Sequence, residues 1–293
     1  MSIKMNLRAV SLDRLPGMGF VVIASVLSLA LAGCESVGGL GSRGGVTPSS
    51  EISEDCAAIQ TNVASLTEVV QRNPNDPQAY NTRGAAYAKC GRYQEAITDF
   101  SNAIKADPQN APAFTNRGLA YQRIGRNDQA QQDFTRAIEA NPRHAPAYLA
   151  RANLLRSQNQ LDQAMSDLNQ AIRLNPEQAQ AFHARGLIYQ RNGDHARAIT
   201  DFDNAIDRDP FNAPPYQARG QSLTVVGKYD AAIEDFNAAL NINNSNADAW
   251  AGLGLAYERK GDRTKAQESY ARALAVNPNN QFAREGQSRV GRG

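Results

Sequence analysis

The stretch of residues 77–110 reads PQAYNTRGAAYAKCGRYQEAITDFSNAIKADPQN, and its pattern recurs five more times along the chain without an insertion. Equivalent positions recur at a constant interval, which is the length of this stretch. An aromatic residue occupies the fourth position of every copy, at Tyr80, Phe114, Tyr148, Phe182, Tyr216 and Trp250. A fixed period held over six units indicates a repeat array rather than a single globular core.

The spacing inside one unit predicts two helices. Tyr80, Gly84 and Tyr87 follow the i, i+4, i+7 spacing of one helix face. Gly91 then interrupts the pattern, as glycine does at helix ends, and the residue before Pro108 avoids the helical region. Between these two breaks, a second helix has the same spacing at Ala96, Phe100 and Ala103.

This set of positions resembles the tetratricopeptide repeat (TPR), whose consensus has aromatic, glycine, alanine and proline residues at these offsets. The resemblance extends over residues 77–280, about seven-tenths of the chain. It implies an all-α fold, a right-handed α-solenoid whose concave face is built from the first (A) helix of each unit and binds proteins or peptides. It implies no cofactor. The six helix-turn-helix units are residues 77–110, 111–144, 145–178, 179–212, 213–246 and 247–280.

Two segments flank the array. Residues 51–76 are predicted to contain a capping helix that ends before Pro74. Pro74 lies one repeat length before Pro108, the proline at the end of the first unit. The end unit of a solenoid needs such a cover because its outer face has no neighbouring repeat. Residues 281–293 allow only a short helix and a tail, which we expect to cap the sixth unit.

The N-terminal segment, residues 1–33, has the features of a secretory signal peptide. A basic start precedes an apolar run that is too short for a comfortable membrane span. The run ends in Leu-Ala-Gly-Cys, which resembles a bacterial lipobox and implies cleavage before Cys34 and lipidation of its side chain and amino group. In the lipoproteins that this motif resembles, an aspartate directly after the lipidated cysteine favours retention at the inner membrane. This chain has Glu35 at that position, so we expect it at the periplasmic face of the outer membrane. An uncleaved anchor helix is the alternative.

Residues 34–50 follow as a lipidated cysteine and a tether rich in glycine and serine. Signal cleavage also changes the charge of the chain. The whole sequence has 31 basic and 29 acidic residues, and residues 1–33 contain three of the basic and one of the acidic ones, so that 28 of each remain. A neutral mature chain does not favour nucleic acid, which needs a basic excess.

Two cysteines remain after Cys34, and disulfides form in the periplasm. Cys56 lies near the start of the capping helix and Cys90 at the end of the first A helix. If these helices fold back on each other, the two cysteines come close together, so we predict a disulfide. Two buried or partly exposed thiols are the alternative.

An arginine and an aspartate occur together in five units and are both absent from the sixth, which has Leu253 and Ser269 instead. This joint loss predicts an ion pair between the two helices of a unit; a row of ligand-binding arginines is the other interpretation. The predicted pairs are Arg83 with Asp99, Arg117 with Asp133, Arg151 with Asp167, Arg185 with Asp201 and Arg219 with Asp235.

The resemblance also implies which A-helix residues line the binding face. They form an apolar-to-polar middle with a basic margin, and the basic residues also suit the helix C-terminal dipole. The predicted groove residues are Asn81, Lys89, Thr115, Leu119, Arg123, Leu149, Asn153, Arg156, His183, Leu187, Arg191, Gln217 and Gln221.

No catalytic or metal-binding motif stands out in the sequence: His183 is isolated, and His144 and His195 fall in turns. We therefore expect a lipid-anchored periplasmic scaffold that binds a protein or peptide partner, rather than an enzyme. The alternative is a structural subunit of an envelope assembly machine for pili, secretion or outer-membrane proteins. The sequence leaves the partner and the oligomeric state open.

Overall fold

The computed structural model of the protein describes residues 54–291, which contain 14 helices and no strand. This confirms the predicted all-α solenoid. In each unit an A helix packs against the following B helix, and each B helix packs against the next A helix. The helices are α1 (Glu54–Arg72), α2 (Pro77–Lys89), α3 (Tyr93–Ala106), α4 (Ala111–Arg123), α5 (Asn127–Ala140), α6 (Ala145–Ser157), α7 (Leu161–Leu174), α8 (Ala179–Arg191), α9 (His195–Arg208), α10 (Ala213–Val225), α11 (Tyr229–Ile242), α12 (Ala247–Lys260), α13 (Arg263–Val276) and α14 (Gln281–Gly291).

The A helices are the even-numbered helices from α2 to α12, and the B helices are the odd-numbered helices from α3 to α13. Helix α1 packs on α2, and α14 packs on both α12 and α13. The two ends of the array are therefore covered by single helices, as a solenoid with apolar repeat faces requires.

The A and B helices of a repeat approach closely where a glycine faces an aromatic ring. A Cβ atom added to Gly84 would lie 2.7 Å from the Phe100 ring, and one added to Gly186 would lie 2.6 Å from Phe202. The third repeat has Ala152 and Leu168 at these positions, and both are fully buried. A larger residue on the A helix is thus matched by a smaller one on the B helix.

The turn between the A and B helices requires a left-handed residue. In the first two repeats, Gly91 and Gly125 have φ of 71° and 75°, a conformation that glycine adopts without a steric penalty. The third repeat places Asn159 there with φ of 64°, and asparagine is among the residues that tolerate this region best. The turn geometry is therefore kept without glycine.

All five predicted arginine–aspartate pairs are present, and each is bidentate. The Nε and Nη2 atoms of the arginine donate to the two carboxylate oxygens over 2.6–2.9 Å. The aspartates are buried and the arginine side chains are mostly covered. The hydrogen bond to Asp133 raises the pKa of Arg117, as expected for a cation with an adjacent carboxylate.

Each of these arginines also reaches the helix that precedes its own A helix, which is the cap helix α1 for Arg83 and a B helix for the other four. Its Nη1 atom donates to a side-chain oxygen there, so that one guanidinium joins three helices. In the first three cases the acceptor is a hydroxyl whose own proton is donated to a carbonyl of its helix. The acceptors, spaced one repeat apart, are Thr67 (3.3 Å), Ser101 (3.0 Å), Thr135 (3.3 Å), Asn169 (2.8 Å) and Asp203 (2.6 Å).

The sixth repeat has a different arrangement. Leu253 and Ser269 are buried at the arginine and aspartate positions, and the Ser269 hydroxyl donates to the Lys265 carbonyl at 2.7 Å. A charged contact exists instead at the C-terminal cap. Arg289 of α14 donates to both carboxylate oxygens of Glu258 at 2.9 and 3.0 Å, and the buried Tyr270 hydroxyl donates to the same group at 2.6 Å.

Cys90 is the C-cap residue of α2 and takes part in a disulfide bond. The side chain of Cys56, its predicted partner, lies outside the described residues, so this pairing stays a prediction. Cys34, the predicted signal peptide and the tether also lie outside the described residues.

Candidate functional site

The predicted groove residues lie along the A helices, but they differ in exposure. Asn81 and Thr115 are buried, with exposed fractions of 8% and 3%. Thr115 donates to the Ala111 carbonyl at 2.9 Å, and Asn81 accepts a 3.0 Å hydrogen bond from Asn116. Our expectation of an open contact surface was therefore wrong for Asn81, whose side chain pairs with the next A helix. Thr115 is also buried, but it lines the cavity between α4 and α6 as a groove residue should.

The other predicted residues keep accessible surface, and together with Asn116 they define what we call the A-helix groove. Leu119 is 41% exposed. The exposed members are Lys89, Leu119, Arg123, Arg191 and Gln221, and the half-buried members are Leu149, Asn153, Arg156, His183, Leu187 and Gln217.

The first cavity of the groove lies between α2 and α4 and has a volume of about 450 Å³. Phe100 and Leu119 form part of its apolar wall, while Lys89 and Arg123 line it with positive charge. Both cations stand in the last turns of their helices, where the dipole favours them. The cavity thus offers an apolar wall beside two cations.

The second cavity lies between α4 and α6 and has a volume of about 320 Å³. Leu119 belongs to this wall as well, opposite Leu149, and Asn116 and Asn153 add amide groups. Leu119 is therefore shared by two neighbouring cavities, so that adjacent side chains of one extended ligand would both meet it.

Two residues of the second cavity replace helix N-caps. At the other A helices the N-cap is an aspartate or asparagine. Asp76, Asn110 and Asn246 accept from their helix through the side chain, as Asn110 does from the Ala113 amide at 3.0 Å, whereas Asn212 does not. His144 and Gln178 stand at this position before α6 and α8, and neither caps through its side chain. Among the described residues, His144 Nε2 and Gln178 Oε1 are buried without a hydrogen-bond partner. Buried polar atoms of this kind are normally paired, so these two side chains are exceptions to that rule.

Helix α8 continues the groove. His183 packs beside Phe202, with ring centroids 5.9 Å apart. Burial, assisted by the nearby Arg156 charge, lowers the pKa of His183 to about 4, so the imidazole is neutral at pH 7. Leu187 packs on the core around Phe202. This part of the groove therefore combines a neutral imidazole and a leucine with the nearby half-buried Arg156 and the exposed Arg191 at the end of α8.

Gln217 and Gln221 line a separate cavity of about 360 Å³ near the C-terminal end of the array. The structure therefore does not bring all predicted groove residues into one pocket. The sequence reasoning had also left out Asn116, His144 and Gln178. Both cap residues were detectable, because the series at this repeat position otherwise reads Asp76, Asn110, Asn212, Asn246 and Asn280.

The described residues contain no group of three or more histidine, cysteine, aspartate or glutamate side chains that could hold a metal ion. Within the same part of the chain, no helix is both long and apolar enough to cross a membrane. The predicted lipid attachment at Cys34 falls outside that part.

Family models match most of the array. Those described as "TPR repeat" match residues 84–125, 152–193 and 226–261. Those described as "Tetratricopeptide repeat" match residues 66–98, 111–144, 134–165, 179–212 and 247–280. The chain therefore belongs to the tetratricopeptide repeat proteins. These are generally non-enzymatic scaffolds whose fold commonly binds protein or peptide partners. No curated protein sequence matches the chain.

Several solved structures share this fold. A chain of the APC/C hetero-tetramer Cut9-Hcn1 superposes with a TM-score of 0.70 at 22% identity, over 80% of this chain and 46% of that one. PilW, a widely conserved type IV pilus biogenesis factor, gives 0.63 at 19% identity over 71% and 97%. YrrB, a TPR protein with an unusual peptide-binding site, gives 0.55 at 21% identity over 64% and 97%. At these identities the likeness concerns the fold alone.

Proposed function

We propose that this chain is a scaffold held by lipid on Cys34 at the periplasmic face of the outer membrane, where its A-helix groove binds a segment of a partner protein. The observation that carries the proposal is Leu119, which is exposed in two adjacent cavities beside the cations Lys89 and Arg123. A segment that mixes apolar and acidic side chains fits this surface, since leucines and carboxylates are the groups it complements.

The two parts of this surface have separate roles in binding. Buried apolar contacts mainly set how slowly a complex dissociates, whereas charges at the rim mainly set how fast it forms and how salt affects that rate. A peptide-binding site is also described for the similarly folded YrrB.

The groove is tested by photo-crosslinking in cells from position 119, with the exposed position 132 on α5 as the control on a B helix. The captured partner is then used for rate measurements. We expect Leu119→Ala to speed dissociation and Arg123→Glu to slow association, most strongly at low salt. Gln132→Ala and Arg136→Glu on α5 serve as matched controls. Binding that depends on the α5 positions and not on α4 would contradict the proposal.

Crosslinks between copies of this chain, without another protein, would instead support the structural-subunit alternative, for which the fold likeness to PilW is a reason. The lipid anchor has its own test. Cys34→Ala should abolish palmitate labelling and release the chain from the membrane fraction, and labelling that persists would refute the anchor.

A further inference from the structure

The cavity near the C-terminal end of the array, which we call the C-terminal pocket, includes the groove residues Gln217 and Gln221 and lies apart from the two cavities on which the proposed function rests. It has a volume of about 360 Å³ and lies between α10, α12 and the cap helix α14. Val225, Phe236, Leu255 and Phe282 provide its apolar wall. Val225 and Phe282 are 66% and 45% exposed. Exposed apolar side chains around a concave cavity are typical of a binding site.

The C-terminal pocket is the counterpart of the first groove cavity, four repeats further along. Phe236 and Leu255 occupy the places of Phe100 and Leu119, because each lies four repeat lengths later in the chain. The cation Lys89 is replaced by Val225. The two pockets therefore have a similar apolar wall. The counterpart of Arg123 is Arg259, which is also a cation but does not line the C-terminal pocket.

Gly252 lets the buried Phe236 ring approach α12 closely at the base of the C-terminal pocket. It stands where the first cavity has Asn116, and a Cβ atom added to it would lie 2.5 Å from the Phe236 ring. The ring is therefore packed directly against the backbone of α12. Because residue 252 is glycine, it adds no side chain to the wall of the pocket.

The charge of the C-terminal pocket is negative. Asp248 is the charged residue of its lining, and Asn280, which precedes α14, donates to its Oδ1 atom at 2.8 Å. The cap segment thus supplies both Phe282 and the residue that holds Asp248 in position. An aromatic wall next to a carboxylate complements a ligand that is apolar and cationic.

We propose that the C-terminal pocket binds an apolar side chain of a partner protein that has a lysine or arginine next to it in sequence. The inference builds on the proposed protein-binding role of the array and adds a second pocket with the opposite charge preference. Because the first cavity favours acidic residues and this one favours basic residues, a partner that fills both has a fixed direction along the array.

Two photoreactive nonapeptides test this pocket on the mature protein. Both have p-benzoylphenylalanine at the centre, flanked by two lysines in one peptide and by two glutamates in the other. We expect the lysine peptide to label α10, α12 and α14, and the glutamate peptide to label α4. Equal labelling of the C-terminal pocket by both peptides, or labelling of another site by the lysine peptide, would overturn the inference.

Measuring peptide binding to substituted forms of the protein makes this test quantitative. Phe282→Ser should weaken binding of the lysine peptide by about tenfold. Asp248→Asn should weaken it by about two- to fivefold and reduce its salt dependence, as expected for an exposed charge, while Asp248→Glu should restore both. Leu119→Ala should leave the lysine peptide unaffected. If the glutamate peptide fails to bind but the lysine peptide behaves as described, the groove proposal is wrong and the C-terminal pocket stands. Unchanged binding in both the Phe282 and Asp248 variants would refute the pocket.

Discussion

In repeats one to five a nearly buried arginine joins three helices, whereas in the sixth repeat Leu253 and Ser269 occupy the equivalent positions without a charge. Both arrangements support the same pair of helices with the same turn. The fold of a repeat therefore does not require the ion pair. What the arginine adds is a directional contact to the preceding helix, which an apolar side chain cannot provide.

Replacing a whole ion pair and removing one of its partners have different effects on the free energy of unfolding. Replacing a complete buried ion pair by well-packed neutral residues is often close to neutral, but removing one partner leaves a buried charge without compensation. The sixth repeat is a natural example of complete replacement inside the same chain. Copying the residues of the sixth or the third repeat into another repeat therefore provides an internal reference.

The largest effect is expected when one partner of a pair is removed. Asp133→Ala leaves the Arg117 guanidinium mostly buried and without its carboxylate, so the free energy of unfolding should fall by about 3–5 kcal/mol. Urea denaturation measures the change. Asp128→Ala on the exposed side of α5 is the control and should alter stability by less than about 0.5 kcal/mol. An equally small effect at Asp133 would mean that the pair contributes little in any repeat.

The next effect concerns the close approach of the helices. Gly186→Ala places a Cβ atom against the Phe202 ring, and such overpacking should cost about 1–3 kcal/mol. Adding Phe202→Leu copies the Ala152 and Leu168 pair of the third repeat and should recover part of the loss. Thermal unfolding of the single and double variants decides this point. A double variant that is less stable than Gly186→Ala would show that the third repeat depends on other adjustments.

A smaller effect is expected when both partners are exchanged together. Arg117→Leu with Asp133→Ser reproduces the sixth repeat in the second, and its stability should lie within about 1 kcal/mol of the unmodified protein. Both single changes should be worse, which a double-mutant cycle in urea would show as a positive coupling energy. Additive losses would indicate that the sixth repeat tolerates Leu253 only because of its cap.

The smallest effect lies at the cap. Arg289 lowers the pKa of Glu258, and because this contact is partly exposed, Arg289→Gln should cost about 1 kcal/mol or less at pH 7. A carboxylate with a lowered pKa stabilises the fold above its unfolded pKa and loses that contribution as pH falls through the lowered value. The difference between the two proteins should therefore shrink in acid, and Arg289→Lys should retain part of it. A difference that is the same at pH 7 and pH 3 would contradict an ionic contribution.

Periodicity was sufficient to predict the helices and the five ion pairs. A constant repeat length superimposes equivalent positions, so the joint loss of arginine and aspartate in the sixth repeat is visible without a structure. The acceptors on the preceding helix were missed because they vary between threonine, serine, asparagine and aspartate. These residues share a side-chain oxygen atom but not a residue type. Comparing residue identities between repeats therefore does not reveal the acceptor position.

The groove was harder to predict, since exposure depends on how neighbouring A helices pack. Asn81 and Thr115 lie on the predicted helix face, yet both are buried, and Asn81 is paired with Asn116 of the next A helix. Helical spacing gives the direction of a side chain and not the distance to the next element. For the same reason the sequence did not indicate that Phe282, which is distant in sequence from α10, completes a pocket with that helix, because the contact depends on how α14 packs.

The arginine contact also determines how the array can lengthen by internal duplication. If one of the first five repeats were duplicated within that part of the array, the copy would bring its own arginine for the preceding helix. Its B helix would also bring a side-chain oxygen for the arginine of the next unit, so every new junction would have this hydrogen bond. A copy of one of these repeats placed after the sixth would set its arginine beside Ala271, which stands in the acceptor series after Asp203 and Asn237 and has no side-chain oxygen. A unit gained within the first five repeats would therefore keep the arginine contact at each junction, whereas a copy placed after the sixth would lack it at its first junction.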